Sequence, residues 1–92
     1  MGLLPFSPPS YLSGIALQGH TSTVSGCAIG PEGDWIVSAS DDKTLKIWDA
    51  QTGTCCATLH VAGALYACAF CPDGEHIVAV GEKGVYFLRW AQ

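Results

Sequence analysis

With 92 residues the chain is long enough for one small domain, yet short enough that only about 60 to 65% of its unfolded surface can be buried. Hydrophobic residues make up 49% and charged residues 13%, so the chain is core-rich for its size and is expected to bury surface against something. The net charge of −4, with four Lys and Arg in all, supplies no basic stripe for phosphate neutralisation, which argues against nucleic acid or an anionic membrane surface as the main partner.

The first dozen residues, MGLLPFSPPSYL, carry no cation and are interrupted by Pro5, Pro8 and Pro9. They lack the charged and continuous apolar parts of a secretory leader and read as an irregular lead-in over 1–12. No apolar run approaches the roughly 18 residues of a membrane span. Five cysteines, an odd number, fit reduced thiols better than a disulfide framework. The expected location is the cytoplasm.

From residue 13 onward the chain alternates short apolar runs with turn chemistry, and the runs are four to eight residues of Val, Ile, Ala and aromatics, which reads as strands. In chain order they are 13–18, then 23–30, 34–40, 44–49 and 54–60, then 65–71, 75–81 and 84–90. The turns between them are specific. Pro31-Glu32-Gly33 and Pro72-Asp73-Gly74 each place a preset φ before a glycine free to take positive φ. Ser40-Asp41-Asp42-Lys43 forms a turn capped by Asp side chains, Ala50 to Gly53 another, and Gly81-Glu82-Lys83-Gly84 a hairpin and not a phosphate loop, since no helix follows it.

The chain also repeats itself. The stretch from Val24, VSGCAIGPEGDWIVSASDDKTLKI, lies without a gap over LYACAFCPDGEHIVAVGEKGVYFL from Leu65. Cys27 falls on Cys68, Pro31 on Pro72, Gly33 on Gly74, and Ile36-Val37 on Ile77-Val78. A period near 40 with four strands per unit is that of a propeller blade. Gly19-His20, the Pro-x-Gly hairpin, the Ser40-x-Asp42-x-Thr44 turn and the closing Trp48-Asp49 occur in that order, and together they resemble the WD40 repeat over nearly the whole chain.

The resemblance implies an all-β fold of two four-stranded antiparallel blades, part of a propeller: 13–18 as the outer strand of a preceding or clasped blade, 19–60 as a complete repeat, and 61–92 as a degenerate terminal one. It also implies that His20, Ser38, Asp42 and Trp48 form a buried hydrogen-bond relay. The ungapped alignment sets Ala79 against Ser38, Lys83 against Asp42 and Arg89 against Trp48, so the second unit is expected to have no relay.

The function implied is a non-enzymatic protein-interaction scaffold without a cofactor or metal. Its partners would be proteins, further blades or other copies of the chain, contacted through loops at Thr21, Ser22, Thr23, Asp41, Lys43, Val61, Ala62, Glu82 and Lys83. The dense first repeat followed by a relay-free one also resembles the C-terminal WD40 tails of signal-transducing NTPases, whose nucleotide-binding domain has no counterpart in these residues.

Other chemistry is less well supported by the residues. Ser38, His20 and Asp42 are the residue types of a hydrolytic triad, but no nucleophile elbow surrounds Ser38. Cys55, Cys68 and Cys71 with His60 or His76 could be imagined as a zinc set, yet a C-x-x-C in a strand points its sulfurs to opposite faces. The cysteines are therefore expected as small core residues. Trp35, Tyr66, Phe70, Tyr86, Phe87 and Trp90 are expected as core between sheets, not as a base-stacking platform.

Overall fold

The computed structural model describes residues 12–91, so most of the lead-in lies outside the described residues. Seven strands of six residues form: β1 (Val24–Ile29), β2 (Trp35–Ser40), β3 (Thr44–Asp49), β4 (Cys55–His60), β5 (Leu65–Phe70), β6 (His76–Gly81) and β7 (Gly84–Arg89). They make an antiparallel four-stranded sheet in the order β1-β2-β3-β4 and an antiparallel three-stranded sheet in the order β5-β6-β7. No helix forms among the described residues.

Turn chemistry sets the strand ends. Gly33 and Gly74 adopt φ of +77° and +71°, as the two Pro-x-Gly turns require, and their N–H groups close back on the Gly30 and Cys71 carbonyls. Asp49, the second half of the Trp-Asp pair, ends β3 by accepting the Gln51 and Thr52 N–H groups on Oδ1. Between β2 and β3 the turn closes with Lys43 at φ of +69°, the left-handed position of a three-residue hairpin loop.

The sheets meet face to face. Val37, Ala39, Leu45 and Ile47 of the first sheet and Leu65, Ile77 and Ala79 of the second form one buried cluster, with β1 and β2 lying along β5. The alternation of strand side chains gives each sheet one face in this cluster and one turned away from it. Trp35, Phe70, Tyr86, Leu88 and Trp90 pack against its edge, and the indoles of Trp35 and Trp90 meet edge to face at 5.4 Å. Tyr66 and Phe87, also expected in the core, are exposed instead, because they point to the other side of the second sheet.

Two further expectations change. Residues 13–18 form no strand and pair with no sheet edge among the described residues; Ile15 and Leu17 instead lie against Gly53 in the turn before β4. The ungapped repeat alignment also fails at its end. The hairpin between β2 and β3 has three residues, Asp41 to Lys43, whereas that between β6 and β7 has only Glu82 and Lys83. Trp48 lies opposite Ile36 and Leu88 opposite Ile77, so Leu88, not Arg89, takes the place of Trp48. The second sheet thus presents Ile77, Ala79 and Leu88 where the first presents Ile36, Ser38 and Trp48.

Leu65 is fully buried between the sheets, while Leu12 is fully exposed. Leu65→Ala is expected to lower unfolding stability by about 2 to 5 kcal/mol, and Leu12→Ala to change it by less than about 0.5 kcal/mol. Urea unfolding midpoints at constant slope measure both.

Candidate functional site

The first sheet carries its polar residues on the face turned away from the second sheet. Trp48, only 2% exposed, donates its indole N–H to Ser38 Oγ at 2.8 Å. Ser38 Oγ lies 2.6 Å from His20 Nε2, and His20 Nδ1 lies 2.9 Å from Asp42 Oδ2. Trp48 can only donate and the Asp42 carboxylate can only accept, so Ser38 accepts from Trp48, His20 donates from Nδ1 to Asp42, and Nε2 of the neutral ring accepts the Ser38 hydroxyl.

Asp42 collects the chain's other end. Its oxygens accept the Thr21 N–H at 3.0 Å, the Thr44 N–H at 2.9 Å and the Thr44 hydroxyl. The Thr44 oxygen also lies 3.1 Å from His20 Nδ1. Burial alone would raise the Asp42 pKa, but the bonds from Thr44, Thr21 and His20 outweigh it and hold the carboxyl well below the usual carboxylate range. The relay therefore ties the loop before β1 to the turn between β2 and β3.

Ser40 and Thr44 were read from sequence only as parts of a turn. Ser40 is fully buried; its hydroxyl donates to the Thr23 carbonyl at 2.8 Å and accepts the Asp42 N–H at 3.0 Å. The signal was the Ser40-x-Asp42-x-Thr44 spacing itself, which sets three short polar side chains around one turn.

The loop residues singled out from sequence come together at one end of both sheets. Val24 faces Ser40, Thr44 faces His60 and Leu65 faces Gly81 across the ladders, so every connection beyond those pairs leaves on the same side. Backbone bonds tie the connections crosswise: Asp41 N–H to Thr23, Val61 N–H to Lys43 and Glu82 N–H to Ala64. Thr21, Ser22, Thr23, Asp41, Lys43, Ala62, Glu82 and Lys83 are exposed there, and Val61 is half-buried.

The Ser-His-Asp set has triad-like spacing, but its serine is poorly placed for attack. Ser38 is 6% exposed, and its oxygen already accepts the Trp48 N–H. A nucleophile needs a free lone pair facing substrate and an oxyanion site beside it.

The cysteines do not converge either. Cys55 and Cys56 stand on the outer edge strand β4, Cys68 lies on β5 facing the first sheet, and Cys71 follows β5 at the end away from His60. Cys27, Cys55 and Cys56 are exposed and Cys68 and Cys71 half-buried, which corrects the expectation of core cysteines: an edge strand and an uncovered sheet face leave small side chains open to solvent. Burial and the neighbouring Cys27 push the Cys68 thiol up to about 11, away from thiolate chemistry. Asp73, Glu75 and His76 group at the opposite end of the second sheet, where Asp73 caps the Pro-x-Gly turn by accepting the Glu75 and His76 N–H groups.

Comparison with known proteins decides the family. The model described as "WD domain, G-beta repeat" matches residues 12–49 and 53–87. The chain belongs to the WD40 repeat family. Its two sheets are blades of that family, the second with three strands. Similar proteins include those named "Ribosome biogenesis protein BOP1 homolog" from Drosophila grimshawi, 39% identical over 88% of this chain, from Drosophila ananassae, 39% over 79%, and from Monosiga brevicollis, 40% over 87%. The chain spans about a tenth of the length of these relatives: 10%, 9% and 10%.

Removing the Asp42 carboxylate strands several donors, so Asp42→Ala is expected to destabilise the first blade by about 1 to 3 kcal/mol, against less than about 0.5 kcal/mol for exposed Lys83→Ala. The pH dependence has a fixed sign. Because folding lowers the Asp42 pKa from about 3.9 in the unfolded chain, its contribution is complete above about pH 5 and is lost as pH falls through the folded value. Thermal melts from pH 7 down to pH 2 are expected to show a steeper loss of stability for the native protein than for Asp42→Asn.

Proposed function

We propose that the chain is a non-enzymatic protein-interaction module working in ribosome assembly, with the loops at the relay end as its partner-facing surface. The observation that carries this reading is the convergence of four connections at one end of two packed sheets, held in place by the Asp42 and Ser40 hydrogen bonds. A rigid loop cluster on a β scaffold is a recognition surface, and nothing in the relay supplies the exposed nucleophile that catalysis needs.

The names of the relatives support ribosome biogenesis as the process. The alternative of a sensor tail in a signal-transducing NTPase rests on the form of the repeats alone, and a cytoplasmic location gains no support from those names. Within ribosome assembly the chain would contact protein and not RNA, because its four Lys and Arg are offset by eight Asp and Glu.

Sucrose-gradient sedimentation of cell extract tests the reading. The tagged chain is expected to co-sediment with precursor ribosomal particles, to be released by Thr21→Arg combined with Glu82→Arg at the loop end, and to be unaffected by Glu32→Arg at the opposite end. Sedimentation at the top of the gradient, or equal release by both kinds of variant, would refute it.

A further inference from the structure

The outer rim of the first blade is a surface separate from the loop end. β4 pairs with β3 on one side only, and it is the fourth strand of a complete four-stranded sheet, so no strand of its own blade remains to cover the other side. The pairing with β3 fixes which backbone groups are open. The Val61 N–H bonds the Lys43 carbonyl, and bonded residues alternate along an antiparallel ladder. Leu59 and Ala57 therefore direct their backbone groups to β3, while Thr58 and His60 turn theirs outward.

Sheet edges are commonly protected by a charged side chain, a proline or a bulge. β4, Cys55-Cys56-Ala57-Thr58-Leu59-His60, contains no Pro, Lys, Arg, Asp or Glu. Its register shift at Cys56 lies near one end and leaves Ala57 to His60 regular. All its residues are exposed except Ala57, which is half-buried.

The side chains beside this edge sort into two rows. On the face toward the second sheet, Ala57 and Leu59 extend the apolar row of Ile47 and Leu45, and with Ile77 and Leu88 they line a hollow of about 240 Å³. That volume lies below the roughly 300 to 1,000 Å³ of small-molecule sites and suits one or two side chains of a peptide. On the other face the Lys46 ammonium reaches across to the edge and donates to Thr58 Oγ1 at 3.0 Å. No carboxylate lies on β4 or lines the hollow, because the Asp and Glu residues stand in the connections, apart from Asp49 at the end of β3. In a chain of net charge −4, this edge thus favours an acidic segment over a basic one.

We infer that the open edge of β4 takes an extended segment of a partner protein as an added strand, and that the segment has an apolar–acidic–apolar pattern. Its two apolar side chains lie beside Ala57 and Leu59 and cover the hollow, and the acidic side chain between them lies beside Thr58 and pairs with Lys46. Backbone bonds to Thr58 and His60 supply affinity for any extended chain, and the two rows select its sequence.

Calorimetric titration of the full chain with three peptides of about ten residues tests this. One alternates Val and Glu, one alternates Val and Lys, and one is the Val–Glu peptide with a central Pro. The Val–Glu peptide is expected to bind at least about tenfold more tightly than either of the others. Thr58→Pro removes an outward N–H without removing a ladder bond, and is expected to lower that affinity by at least about tenfold. Thr58→Ala keeps the N–H and is expected to change it by about twofold at most. Lys46→Glu is expected to invert the preference in favour of the Val–Lys peptide. In the native protein the Val–Glu peptide is expected to slow hydrogen exchange of the Thr58 and His60 amides, and this reading with Lys46→Glu decides the matter if Thr58→Pro fails to fold. No binding, equal binding of the three peptides, an unchanged preference in Lys46→Glu, or protection along β7 in place of β4 would overturn the proposal.

Discussion

A buried tryptophan indole N–H is costly to leave unpaired, and of the three indoles Trp48 is the one given an acceptor, while the buried Nε1 atoms of Trp35 and Trp90 have none among the described residues. Left unpaired, the group would cost about 1 to 3 kcal/mol. Ser38 supplies the oxygen, and a hydroxyl so placed must dispose of its own proton, which leads to His20. The imidazole in turn needs an acceptor at Nδ1, which leads to Asp42 at the turn between β2 and β3. Each link makes the next obligatory, so a packing residue near one end of β3 fixes loops at the other end of the sheet. The loop end proposed as partner-facing is held by this chain of satisfied donors.

The second blade solves the same packing problem without polar groups. With Ala79 in place of Ser38 and Leu88 in place of Trp48, these two positions carry no donor and no relay forms there, although the Trp90 indole N–H is buried without a partner among the described residues. The difference follows from position. Ile77 and Ala79 lie against the first blade, where an apolar surface is sealed by another sheet. Loop fixation in the second blade instead comes from a tighter device, the two-residue hairpin at Glu82 and Lys83, which has little slack to restrain. Two repeats of one architecture thus hold their loops by different physics.

Much of this was legible in the sequence because it depends on local chemistry. Pro-x-Gly turns announce positive φ at Gly33 and Gly74, period-two runs announce strands, and the order of Gly-His, Ser-x-Asp-x-Thr and Trp-Asp announces which side chains meet. What was not legible depends on partners far along the chain. A one-residue shortening of a hairpin leaves no trace in an ungapped match, yet it moves Leu88 into the place of Trp48. The exposure of Cys27 and Phe87 depends on whether a third layer covers their faces, and residues 13–18 look like a strand but pair with no edge among the described residues. Ser40 and Thr44 were visible as turn residues, but their burial depends on the loop before β1 folding down over them.

The direction of the proton chain is the most exposed part of the account. Since the Asp42 carboxylate can only accept, a neutral His20 ring that bonds it carries its hydrogen on Nδ1 and accepts the Ser38 hydroxyl on Nε2. Long-range 15N–1H correlation spectra of the imidazole at pH 8 read this directly. The account predicts the Nδ1–H tautomer with a slowly exchanging proton; an Nε2–H tautomer, or a ring averaging between the two, would contradict a relay running from Trp48 to Asp42.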